Sequence, residues 1–197
     1  SLYKDDIAGG KVNVVEFNDC CAISGIEGPR NSMVKDEPVT TAEVKIYRDS
    51  YENAVRIVAG DGDFILQPGE WSDWVTVKFN MLKPIASTSG IVRFYLRQAQ
   101  PTLELYCSPV NLSPENPALP VSTPPEYSKE LYDHVGNFYT LGIPEDTKAL
   151  SAGYMTYDEF LSQSKLVLEE RLEEFDYVWN NFDDGFLLFY FSTLDQN

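Results

Sequence analysis

Asp195 is the residue with the widest chemical possibilities in this chain. It closes the run Phe186-Leu-Leu-Phe-Tyr-Phe-Ser-Thr-Leu-Asp195, in which six apolar residues without alternation precede a polar end. Such a run predicts a strand buried on both faces, as in the centre of a parallel sheet. In open α/β sheets, ligands bind outside the carboxyl ends of the strands. An aspartate delivered there can bind a metal or act as an acid–base group. Strand-end aspartates are also ordinary turn residues, and the pattern by itself favours that use.

The other candidates are weaker. Asp61 and Asp63 flank Gly62, but counting twelve positions from Asp61 reaches Ser72 rather than Glu, so a calcium loop is disfavoured and a hairpin turn expected. His134 is the only histidine, which argues against a self-contained zinc site or a His-based triad; it is expected to be solvated or to cap its helix. Trp71 and Trp74, with Tyr47, Tyr51 and Tyr95, could stack against a sugar, although aromatics more commonly fill a core. Three cysteines, two of them adjacent (Cys20 and Cys21) and Cys107 remote, do not look like a disulfide framework. They favour a reducing, cytoplasmic compartment over a periplasmic one.

The elements that must position these residues fall into two textures. Residues 1–110 carry 11 basic and 15 acidic side chains, whereas residues 111–197 carry 4 and 16. Over 11–110 the sequence reads as about seven short strands with period-2 patterning (Lys11–Phe17, Ala42–Tyr47, Val55–Ile57, Phe64–Leu66, Val75–Phe79, Ile91–Arg97 and Leu103–Cys107), separated by turn residues. With no helix between them, they predict an antiparallel, sandwich-like β module over 1–110. Ser108–Pro125 holds six prolines and predicts an extended connector. Thr123 and Glu126 form a capping-box pattern with Pro124 at the first helical position, predicting a helix to Val135. Pro144 is expected to open a short helix through Leu150. Thr156–Phe182 predicts a long helix, with Tyr157, Leu161, Leu168, Leu172, Phe175, Trp179 and Phe182 as its core stripe and its acidic residues outside. The fold class expected is α+β: the β module, then a connector, helices and a buried strand over 111–197.

The net charge of −16 argues against nucleic-acid backbone and anionic membrane surfaces as partners. No apolar run approaches the roughly 20 residues of a membrane span. A lone buried strand with one packing helix wants further strands beside it, so the sequence is expected to be part of a longer protein. Exposed edges in such a piece invite dimerisation.

Four stretches resemble the alkaline phosphatase superfamily, in its branch of type I phosphodiesterase/nucleotide pyrophosphatase-like phosphohydrolases and phosphomutases. They are Ile23–Asn31 with its Gly28-Pro-Arg-Asn31 loop, Leu105–Pro120, Tyr139–Leu150 with Glu145-Asp-Thr-Lys-Ala-Leu150 followed by Gly153, and Phe189–Asp195. The resemblance implies that Asp195 is a metal ligand, the first residue of an Asp-x-x-x-His pattern whose His falls two positions past Asn197. It implies two divalent cations, zinc or manganese, acting on a phosphate-ester substrate. It also implies that the nucleophilic Ser or Thr lies upstream of Ser1 and the remaining ligands downstream of Asn197. The strand ending at Asp195 would then belong to an alkaline-phosphatase-like α/β catalytic sheet. The expected function is the accessory and cap portion of a metal-dependent phosphohydrolase, phosphodiesterase or phosphomutase, inactive and metal-free by itself. A non-enzymatic β-sandwich module binding glycan or protein is the alternative.

Overall fold

The computed structural model describes residues 1–5, 10–49, 51–82 and 86–195, Leu194 and Asp195 by backbone alone. The protein is mixed α/β and β-rich, with antiparallel sheets, and forms two compact units, Ser1–Asn111 and Leu112–Asn197.

The first unit contains strands β1 (Leu2–Lys4), β2 (Lys11–Asn13), β3 (Cys21–Arg30), β4 (Val39–Arg48), β5 (Val55–Ala59), β6 (Gly62–Leu66), β7 (Val75–Leu82), β8 (Ala86–Val92), β9 (Phe94–Gln98) and β10 (Glu104–Cys107). With β11 (Asn111–Leu112), they form sheets ordered β2-β1-β10-β9, β11-β8-β7 and β3-β4-β5-β6. Period-2 alternation sets the inward faces. Thr40, Ala42, Val44 and Ile46 point inward from β4, Val55, Ile57 and Ala59 from β5, and Val75, Val77 and Phe79 from β7. They meet Leu2, Phe94, Leu96 and Leu105 in one core drawn from all three sheets. The pairing of β1 with β10 is parallel, an exception to the otherwise antiparallel ladders. It arises because the chain start is laid beside a strand distant in sequence, with the Ser1 amino group donating to the Leu103 carbonyl.

The β5–β6 hairpin shows why Gly60 is a glycine. Its φ is +54°, and a Cβ there would stand 1.9 Å from the Thr76 carbonyl oxygen. This close approach lets Asp61 N–H donate to that carbonyl at 3.1 Å while the Asp61 carboxylate accepts from Thr76 N–H at 2.7 Å.

The second unit contains α1 (Tyr127–Val135), α2 (Thr147–Ser151), α3 (Tyr157–Asn180) and a 3-10 turn at Ser192–Asp195. Three expectations need correction here. First, α1 starts at Tyr127, not Pro124, and has no capping box. Pro125 disfavours helical geometry at the residue before it. The entry is tied instead by Ser122, whose Oγ accepts from Ser128 N–H at 3.0 Å. Second, α2 begins three residues after Pro144, where Asp146 caps it by accepting from Ala149 N–H at 2.8 Å. Third, α3 has the expected capping box of Thr156 and Glu159, but its buried face is turned about a third of the way round the helix from the expected stripe. Phe160, Gln163, Ser164, Val167, Glu170 and Glu174 turn inward, whereas Tyr157, Leu161, Leu172 and Trp179 are exposed.

The run Phe186–Phe191 also departs from expectation. It enters no ladder among the described residues, and it is not buried on both faces. Phe186, Leu188 and Tyr190 are 87%, 80% and 65% exposed, while Leu187, Phe189 and Phe191 are half-buried. The packed side meets α3 at Phe175, whose ring lies 5.2 Å from Phe189 and 5.7 Å from Phe191. The helix thus covers one face, while Phe186 and Leu188 on the other stand exposed.

Candidate functional site

The second unit buries an unusual amount of polarity, and most of it is organised by the inner face of α3. Asp146 donates its N–H to Gln163 Oε1 at 2.8 Å, fixing the α2 entry to a fully buried amide. About two turns further along α3, Glu170 Oε1 accepts from Tyr139 N–H at 2.7 Å. Another turn on, Arg171 donates to both oxygens of Glu174, at 2.9 and 2.7 Å. From α3 to α1, Tyr177 donates its phenolic O–H to Glu130 Oε1 at 2.9 Å, and the Tyr177 ring stacks on His134 with centroids 4.3 Å apart. The His134 Nδ1 lies 2.8 Å from the Glu130 carbonyl oxygen, an acceptor, so that nitrogen carries the proton.

Burial raises the Glu174 carboxyl to about 7; Arg171 opposes this rise and the neighbouring Glu170 charge reinforces it. Glu145 stands within the Glu145–Leu150 motif at 2% exposure, and neither of its carboxylate oxygens has a hydrogen-bond partner.

Asp195 ends the 3-10 turn that follows Phe186–Phe191; its side chain lies outside the described residues. Among the described residues, no group of three or more His, Cys, Asp and Glu side chains could hold a metal ion. Asp61 and Asp63 of the β5–β6 hairpin are already engaged: Asp61 accepts from Thr76 N–H of β7, and Asp63 accepts from Arg56 of β5 through two bonds of 2.7 and 2.6 Å.

The aromatic candidates do not assemble into one platform. Trp71 packs on Tyr95 and Tyr106 with centroids 4.7 and 5.7 Å apart, and Trp74 lies under the Arg93 guanidinium at 4.5 Å. Tyr51 is 97% exposed, and Tyr47 lines a separate surface cleft of about 560 Å³ with Arg48, Glu52, Arg56, Ile65 and Gln67. All three cysteines are free. Cys107 is buried, and that burial pushes its thiol up to about 12, so it is inert as a nucleophile. No described helix is long and apolar enough to cross a membrane.

Sequence reasoning missed the buried carboxylates of α3. Glu170 and Glu174 lie in an acid-rich segment that reads as a solvated face. The signal that finds them is Phe160 and Val167, seven residues apart, which extend by helical spacing to positions 170 and 174.

Comparison with protein-family models, with curated proteins and with solved structures gives no match for this chain.

Proposed function

We propose that this chain is the accessory and cap portion of a metal-dependent phosphohydrolase, phosphodiesterase or phosphomutase of the alkaline phosphatase superfamily. In this reading Phe186–Phe191 is a strand of the α/β catalytic sheet, and Asp195 after it contributes one metal ligand. The observation that carries the reading is the state of that segment. It is extended and apolar, it is packed on α3 through alternate residues, and it lacks a ladder among the described residues. The apolar side chains of Phe186 and Leu188 are costly to leave against water, and a layer packed over them as part of a sheet removes that cost. The four sequence stretches that resemble the family, ending at Asp195, add the chemistry. The remaining ligands and the nucleophile lie outside this chain, so its part is to shape access to the site and to place one carboxylate.

The test is phosphate release from mono- and diesters by the gene product carrying this chain together with its flanking coding sequence, with zinc or manganese supplied. Activity in that protein, none in residues 1–197, and a loss of at least about 100-fold in Asp195→Ala support the reading. Equal activity of wild type and Asp195→Ala contradicts it.

A second reading is favoured by the cleft beside Tyr47, which joins an aromatic ring, Arg48, Glu52 and Gln67 on the β module. A glycan-binding module would use such a mixed surface. Saturable binding of the isolated chain to a glycan panel, lost in Tyr47→Ala, supports it; no binding to any member contradicts it.

A further inference from the structure

We propose that the contact between α1 and α3 is a proton-operated clasp: protonated Glu174 lets α1 lie on α3, and loss of that proton loosens α1. The inference does not depend on the proposed activity.

The geometry is specific. Glu170 and Glu174 sit four residues apart on the inner face of α3 at 8% and 5% exposure. Two carboxylates one helical turn apart repel when both are ionised. Glu170 is fixed in place by the Tyr139 N–H, which donates to its Oε1 at 2.7 Å. Arg171 is the cation given to Glu174, and it binds through a single nitrogen, Nη1. The groups facing this pair from α1 do not help. Tyr127 senses the Glu174 charge and has its own phenol raised, chiefly by burial, with Glu130 and Glu174 adding to the rise. Glu130 brings a third carboxylate, accepting from Tyr177, and His134 lies on the Tyr177 ring. Ionising Glu174 therefore places a further negative charge in a contact whose carboxylates already outnumber its arginine.

The relief available is local. Among the described contacts, α1 is a nine-residue helix held to α3 by the Tyr177–Glu130 bond and the His134–Tyr177 stack. The Tyr177–Glu130 bond and His134 are exposed, whereas Glu170 and Glu174 are buried. Short helices are marginal without such tertiary contacts. Moving α1 away lets water reach Glu174 while leaving the α2–α3 tie through Gln163 intact. The burial that raises Glu174 to about 7 puts the transition at neutral pH.

The test is amide hydrogen exchange of the 197-residue chain between pH 5.5 and pH 8.5, corrected for intrinsic exchange rates, reading α1 against α3. The expected wild-type result is at least about fivefold loss of protection over Leu131–Val135 on raising the pH, with the centre of α3 unchanged. Glu174→Gln, which stays neutral, is expected to hold α1 protected throughout. Glu170→Gln keeps an acceptor for the Tyr139 N–H but removes the neighbouring charge, so its transition is expected at lower pH than in the wild type. Because Glu170 raises Glu174, the structure assigns the lower direction. A pH-independent wild type, a Glu174→Gln profile equal to wild type, or an upward shift in Glu170→Gln overturns the clasp.

Discussion

The backbone N–H of Asp146 donates to Gln163 Oε1 at 2.8 Å, joining the start of α2 to the fully buried middle of α3. The Gln163 side-chain amide supplies the acceptor for this helix-entry N–H from within the buried interior. Gln163→Leu removes the acceptor and leaves a buried N–H unpaired, at a cost of about 1–3 kcal/mol. Urea unfolding followed by helical circular dichroism should show that loss, and an unchanged midpoint would mean the contact contributes nothing.

The cap of α3 gives an independent measure of the same unit. Thr156 Oγ1 accepts from Glu159 N–H at 3.3 Å, and Glu159 Oε2 accepts from Thr156 N–H at 2.6 Å. Thr156→Ala should cost about 1 kcal/mol in the same assay.

In the β unit the sharpest expectation concerns Gly60. Alanine there meets both a φ of +54° and a Cβ position 1.9 Å from the Thr76 carbonyl. Left-handed backbone alone costs about 1–2 kcal/mol, and the displaced carbonyl adds to it. Gly60→Ala should lower the thermal midpoint of the β unit clearly, while Gly69→Ala, with φ +92° and open space around it, should pay for conformation alone.

The pH dependence of stability has a definite sign. Glu174 is raised from 4.5 to about 7 by burial, so the native state holds a proton that the unfolded chain gives up. Its contribution is complete below about pH 4.5, declines as the pH rises, and is gone above about 7. The swing is on the order of 3 kcal/mol. The stability difference between wild type and Glu174→Gln should therefore change by that amount between pH 4.5 and pH 8; a constant difference would show that Glu174 titrates normally.

How much of this was legible in the sequence depends on which interaction decides each element. Strands β4, β5 and β7 were readable because Val44/Ile46, Val55/Ile57 and Val75/Val77/Phe79 alternate with polar residues, and each hairpin carries its own turn chemistry. The long helix was readable from Thr156 and Glu159, two residues that interact locally. Its buried face was not. Hydrophobic spacing marked Leu161, Leu172 and Trp179, yet α1 and α2 pack on the side bearing Gln163, Glu170 and Glu174, where polar partners from Asp146 and Tyr139 supply the bonds. Those partners lie 17 and 31 residues away, beyond the reach of any local pattern. The apolar stripe and the Phe186–Phe191 run share a cause. Both were read as buried because they are apolar, and both present apolar side chains to solvent in the described structure.

That exposed segment carries the proposed function, and one measurement addresses it directly: amide exchange over Phe186–Phe191 in residues 1–197 and in a longer chain expressed with whatever coding sequence flanks it. If the segment brings Asp195 to a catalytic sheet, its amides exchange rapidly in the shorter chain and are strongly protected in the longer one, where strands flank it. Equal, rapid exchange in both would contradict the account, because Asp195 would then follow a segment that joins no sheet.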